Sequence, residues 1–164
     1  MSYQEKKAIV SIASGALVMA AYCIYVFGKY QSRLIDPDDL KFFGATMLIF
    51  IGIGIAAMII IQIVFHILLS IAIAVKERNC DEKEIEKAIE ATVIEDEMDK
   101  LIELKAMKVG FIIAGAGFMA ALVSLVLNCP AAVMLNIQFL SFWIGSLAGG
   151  VLSLYYYRKG IRNG

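Results

Sequence analysis

The sequence predicts an all-α fold, a polytopic membrane four-helix bundle with a helical cytoplasmic hairpin between spans two and three. Three observations predict it. Residues 8–28, 42–75 and 109–157 contain no Asp, Glu, Lys or Arg, and the last run is interrupted only by the turn-like Asn128-Cys129-Pro130. A membrane helix needs about 20 apolar residues, and lipid offers the backbone no water, so helices joined by a tight turn satisfy it most simply. The last run therefore holds two spans, and the chain four. Hydrophobic residues make up 60% of the chain and the mean hydropathy is +0.78, well beyond an ordinary soluble domain. The fifteen basic and fifteen acidic residues cancel and are gathered into short stretches beside the apolar runs, which speaks against nucleic acid as a partner.

The expected spans are about 8–28, 42–75, 107–127 and 131–157 of a single domain, with a cytoplasmic helical segment at about 76–106. The first run follows Lys6-Lys7 and invites comparison with a signal peptide. At 21 residues it is too long for the apolar part of one, and no small-residue cleavage site follows. Ala20-Ala21-Tyr22-Cys23 has the outline of a lipoprotein site, but bulky Tyr22 stands where a small residue is required. The second run is over-long. Its 34 residues make roughly 51 Å of helix against a hydrocarbon core of about 30 Å. Tilt takes up part of the excess, and a helix that emerges into the cytoplasm and is covered there by residues 76–106 takes up more.

Orientation follows from the basic residues. Lys6 and Lys7, seven residues from Lys76 to Lys108, and Arg158, Lys159 and Arg162 lie on one side, whereas Lys29, Arg33 and Lys41 lie on the other. Twelve against three places both termini and the central segment in the cytoplasm of a multi-pass cell-membrane protein. Tyr155, Tyr156 and Tyr157, just before Arg158, suit an interfacial anchor.

Residues 76–108 carry seven basic and eleven acidic side chains with no Gly or Pro. Asp81 with Glu84, and Thr92 with Glu95, have capping-box spacing. The apolar edge Ile85, Ala88, Ile89 and Thr92 is out of phase with the edge Ile94, Met98, Leu101 and Ile102. A short helix over 81–91 is expected, then a long one from about Val93 continuing into the third span. The first and third spans share an Ile-Ala-Ser/Gly-Gly/Ala pattern, at Ile12 to Gly15 and Ile113 to Ala116, so the two hairpins are candidate repeats, although small-residue interfaces also converge.

Three constellations are candidates for function. Gln62, His66 and Ser70 recur every four residues and form a polar seam on one face of the second span. Such residues serve as interhelical glue or, because imidazole titrates near neutrality, as a proton or ligand path. Glu95, Asp99 and Glu103 form an acidic stripe. Like charges so spaced repel, and the stripe is either a solvated face or a cation site, but it lacks loop-type ligand spacing. Small residues at four-residue spacing, Gly52 and Ala56, Gly110 and Ala114, Gly117 and Ala121, Gly145 and Gly149, suit close helix packing inside the bundle or between copies in a homo-oligomer.

Cys23, Cys80 and Cys129 form no C-x-x-C and accompany a single His, which argues against zinc and for free thiols. No nucleophile elbow, phosphate loop, H-E-x-x-H or dinucleotide turn occurs, so neither an enzyme nor a cofactor is expected. The expected function is a non-enzymatic interaction, sensor or regulatory protein acting through its cytoplasmic segment on a protein partner. The alternative is a small oligomeric transporter or channel subunit lined by the polar seam.

Residues 95–106, Glu-Asp-Glu-Met-Asp-Lys-Leu-Ile-Glu-Leu-Lys-Ala, followed at once by a span, resemble the D-E-R-D-x-x-I-x-x-K-A element of a family of small prokaryotic four-span membrane proteins of unknown function. Met98 stands where the family has Arg. The resemblance implies the four-span architecture and genomic association with helix-turn-helix regulators, and it implies no activity.

Overall fold

The computed structural model describes residues 3–32, 36, 39–76 and 97–160, with the side chains of Tyr3, Leu69 and residues 72–76 left aside. These residues form four helices in chain order: α1 (Tyr3–Gln31), α2 (Leu40–Lys76), α3 (Glu97–Val126) and α4 (Ala131–Lys159). All four are long and apolar enough to cross a membrane. The short expected helix over 81–91, both capping boxes, Ile94, Glu95 and Cys80 lie outside the described residues.

The helix ends have local causes. α1 carries Glu5 in its first turn and Lys29 in its last, each matched to the helix dipole. Ser32 closes it, with backbone N–H and Oγ both donating to the Gly28 carbonyl at 3.1 and 2.8 Å. Asp39 caps α2, its Oδ1 accepting from the Phe42 N–H at 3.0 Å. After α3 the Cys129 N–H donates to the Ser124 carbonyl and the Asn128 N–H to the Leu125 carbonyl, both at 3.0 Å, and Asn128 has φ 57°. That is a Schellman turn with asparagine in the left-handed position. Pro130, which lacks an N–H and cannot extend α3, sets up α4 instead.

α4 is the hub. α3 packs along it extensively, α1 packs on another side, and α2 touches both α1 and α4, whereas among the described residues α3 has no comparable interface with α1 or α2. The four helices therefore do not close into a symmetric ring, as a regular bundle would. The α3–α4 seam is made of small residues. Gly110 faces Gly145, Gly149 faces the Ala106 carbonyl, Gly117 faces Ser141, and Ala114 and Ala121 are buried. α1 meets α4 where Gly15 faces Leu147 and Gly150 faces Ile12.

At the end bearing the α1–α2 and α3–α4 turns, an aromatic cluster ties three helices together. Tyr22, Phe43, Met47, Ala132 and Phe139 are buried there, flanked by Phe42, Phe50, Leu140 and Trp143. Tyr22 sits 4.6 Å from Phe139 and 5.3 Å from Phe50 between ring centroids, the latter edge-on, arrangements that aromatic quadrupoles favour. The buried apolar residues of α2 all lie near its start, at Phe43 and Met47, and none of its most apolar stretch is buried in the protein.

Two packing expectations are not met within a single copy of the chain. Gly52 has open space around it and Ala56 is exposed, because the packing face of α2 is Phe43, Met47, Phe50 and Gly54, the last lying 3.4 Å from Trp143 when a Cβ is placed on it. Two residues are about 200° around a helix, so Gly52 points the other way. Of the segment expected to cover the overshoot of α2, residues 77–96 lie outside the described ones; on its apolar edge Met98 and Leu101 are 49% and 43% exposed, whereas Ile102 is 2% exposed. The start of α3 follows its packing on α4 and not on α2.

Candidate functional site

Because α3 stands apart from α1 and α2, a groove opens between them across α4, at the end that bears the chain termini. Its volume is about 810 Å³, within the range of roughly 300–1,000 Å³ typical of small-molecule sites. Its floor is α4 from Phe142 to Tyr157, including Gly145, Ser146, Gly149 and Gly150. Its walls include Ser11, Ser14 and Val18 of α1, Ile55 and Met58 of α2, and Met107 and Phe111 of α3.

The lining changes character along its length. Deep in the groove, toward the aromatic cluster, Val18, Gly54, Ala114 and Trp143 present apolar surface. At the terminal end Gln4, Lys7, Asp99, Glu103 and Tyr157 supply charge and hydrogen-bonding capacity. From Gln4 to Val18 the lined length of α1 is about 21 Å at 1.5 Å per residue.

The acidic stripe is thus partly placed. Asp99 and Glu103 line the groove, Asp99 half-buried and Glu103 exposed, and Glu95 lies outside the described residues. Among the described residues no group of three His, Cys, Asp or Glu is assembled for a metal ion. Aromatic rings neighbour two cations: Lys105 Nζ lies 5.5 Å from the Tyr156 ring centre and Lys159 Nζ 5.1 Å from that of Tyr155, contacts that the ring quadrupole favours.

The polar seam behaves differently. Gln62 and His66 are exposed, Ser70 is half-buried, and the Ser70 Oγ donates to the His66 carbonyl at 2.9 Å. That bond lies within α2 and links no other helix. The row Gly54, Met58, Gln62, His66, Ser70 has four-residue spacing, however, and its first two members line the groove. Each step of four turns about 40° around the axis, so the seam winds away from the groove mouth. Cys23 is an exposed free thiol and Cys129 a half-buried one.

Two polar features escape the reading of spacing. Tyr22 Oη donates to Asn136 Oδ1 at 2.7 Å, and Asn136 Nδ2 donates to the Ala132 carbonyl at 2.7 Å. This joins α1 to α4 across 114 residues of chain. An asparagine within a charge-free run is the signal that could have marked it, since intramembrane amides seek partners. Gln138 Oε1 is buried without a hydrogen-bond partner among the described residues, on the same helix and two residues further along.

No family model, curated protein or solved structure matches the chain.

Proposed function

We propose that this is a non-enzymatic sensor or regulatory membrane protein, multi-pass in the cell membrane with both termini cytoplasmic. The groove is its input, and the charged helical segment between α2 and α3 is its output toward a cytoplasmic protein partner. One observation carries the reading: α2 and α3, the two helices from which residues 77–96 are suspended, both border the groove while lacking a substantial interface with each other. Whatever enters or leaves the groove changes the separation of those helices, and with it the span that the charged segment must bridge. The twelve-to-three distribution of basic residues supports the orientation. The likeness of residues 95–106 to the four-span family supports the architecture and leaves the activity open.

A sensor needs two populated arrangements that its input biases. Spin labels at Met58 and Met107, on opposite walls of the groove, placed in a cysteine-free variant and reconstituted in lipid nanodiscs, should give a distance distribution with two components whose proportions change with lipid composition. One narrow distance that no lipid composition changes would remove the basis of the proposal.

The second reading, a small oligomeric transporter or channel subunit, is favoured by the exposure of Gln62 and His66 on α2 outside the groove, where a second copy of the chain would meet them. If His66 carries protons, His66→Asn abolishes a pH-driven flux in vesicles containing a pH dye, because an amide does not titrate between pH 5 and 8. No flux in the wild-type protein retires that reading.

A further inference from the structure

We propose that the outward face of α2 binds a second copy of this chain, in a parallel pair whose two-fold axis runs along the membrane normal. The pairing rests on neither reading of the function. Within one copy α2 packs on its neighbours through Phe43, Met47, Phe50 and Gly54. At about 100° per residue, the row Ile49, Gly52, Ala56, Ile59, Ile63 and His66 lies roughly half a turn from that face. Every member of the row is exposed, and a Cβ placed on Gly52 meets nothing within 4 Å. None of the six lines the groove, so a partner seated on them leaves the groove open.

Because nearly all of α2 is apolar, apolar periodicity says little there; its small and polar residues say more. All three exposed Gly and Ala residues among the described side chains of α2, at Ala45, Gly52 and Ala56, fall in this row, and so does His66. The row steps alternately by three and four residues, a repeat of about 3.5 that a left-handed pair crossing at about 20° keeps in contact along its length. Small residues in such a row let two backbones approach. The polar residues identify the partner. α4 turns its amides, Asn136 and Gln138, into the protein, whereas α2 presents Gln62 and His66 outward. Chains of one sequence share one orientation in a membrane, so a two-fold axis along the normal sets each residue beside itself at the same depth. His66 then meets His66. A neutral imidazole carries one donor and one acceptor nitrogen, so one copy donates to the other. A foreign helix would have to bring a matching polar group to that depth, and a second copy brings it by symmetry.

Cross-linking locates the face. The full-length protein, freed of its own cysteines, is reconstituted in liposomes and oxidised with copper phenanthroline after single substitutions on the row, Ala56→Cys, Ile59→Cys and Ile63→Cys. Ile53→Cys, Ile60→Cys and Val64→Cys, at positions exposed off the row, are the controls. Disulfide-linked dimers should form several-fold faster on the row than off it. Energy transfer between labelled copies, followed as lipid is added, then gives the dissociation constant. Gly52→Leu should raise it roughly tenfold, the scale of an overpacked contact, whereas Gly115→Leu, at an equally open position on α3, should leave it unchanged. His66→Leu should raise it about threefold, the worth of one interhelical hydrogen bond, and His66→Asn, which keeps a donor and an acceptor, should stay near wild type. Cross-linking that is equal around α2 or fastest at the three controls, equal effects of Gly52→Leu and Gly115→Leu, or pairing in cell membranes that is lost in the purified protein at high protein-to-lipid ratio would each overturn the proposal.

Discussion

A single methyl group at Gly145 should separate two effects that usually travel together. A Cβ built on Gly145 lies 2.6 Å from the Gly110 carbonyl oxygen, 3.3 Å from its carbon and 3.4 Å from its Cα, all backbone atoms that no rotamer change can move. Restoring ordinary contact at 3.4 Å requires α3 and α4 to part locally by about 0.8 Å, and a gap of that size forfeits roughly a quarter to a half of the dispersion energy of the contacts it opens. Overpacking of this kind costs about 1–3 kcal/mol. Against it, Gly→Ala within a helix gains about 0.8–1 kcal/mol of propensity. Gly115 provides the control, since it lies on the same pair of helices with nothing within 4 Å of its Cβ position. Gly115→Ala keeps the propensity gain without the collision. The difference between the two variants thus isolates the packing cost, and Gly145→Ala should unfold more easily than Gly115→Ala by about 1–3 kcal/mol. Titration of purified protein from mild detergent into SDS, followed by circular dichroism, measures it. Coincident curves for the two variants would mean that α3 and α4 do not cross at Gly110 and Gly145.

Three further outcomes follow from particular contacts. Tyr22→Phe removes the donor to Asn136 while keeping the ring, and should destabilise by roughly 0.6 kcal/mol and no more than about 1.7, the range for hydrogen bonds between membrane helices; Asn136→Leu in the Tyr22→Phe background should then add less than it does alone. Ile102→Ala should cost about 2–5 kcal/mol in the same SDS titration because Ile102 is 2% exposed, whereas Leu101→Ala, at a position 43% exposed, should cost far less; equal losses would return Leu101 to an interface. For topology, single cysteines at Asp36 and Asn128 in a cysteine-free background should react with an impermeant maleimide on intact cells and those at Lys6 and Arg158 should not, with the opposite pattern reversing the orientation drawn from the basic residues.

The four helices long and apolar enough to cross a membrane were legible in the sequence because such helices depend on a local property, the absence of charge over a length set by the bilayer. The turn at Asn128-Cys129-Pro130 was legible for a related reason: asparagine tolerates positive φ and proline cannot continue a helix. Spacing also marked Gly110, Ala114, Gly117, Ala121, Gly145 and Gly149, all of which lie on the α3–α4 seam. Identical spacing marked Gly52 and Ala56, which pack against nothing described. A four-residue repeat defines a face of a helix but not what that face meets.

The groove depended on tertiary structure for the same reason. Lys7, Asp99, Glu103, Tyr157 and Trp143 are dispersed over nine-tenths of the chain on three helices, and only Asp99 and Glu103 share a local pattern. They line one space because α4 gathers α1 and α3 on different sides while α2 is held at its start by the aromatic cluster around Tyr22. In lipid, apolarity alone cannot choose among helix pairings, since every apolar face is already at home there. Close backbone approach, ring packing and the Tyr22–Asn136 hydrogen bond decide instead. By itself the sequence determined how many helices are long and apolar enough to cross a membrane and which segments carry charge; the tertiary contacts decided which helices meet and where space between them remains open.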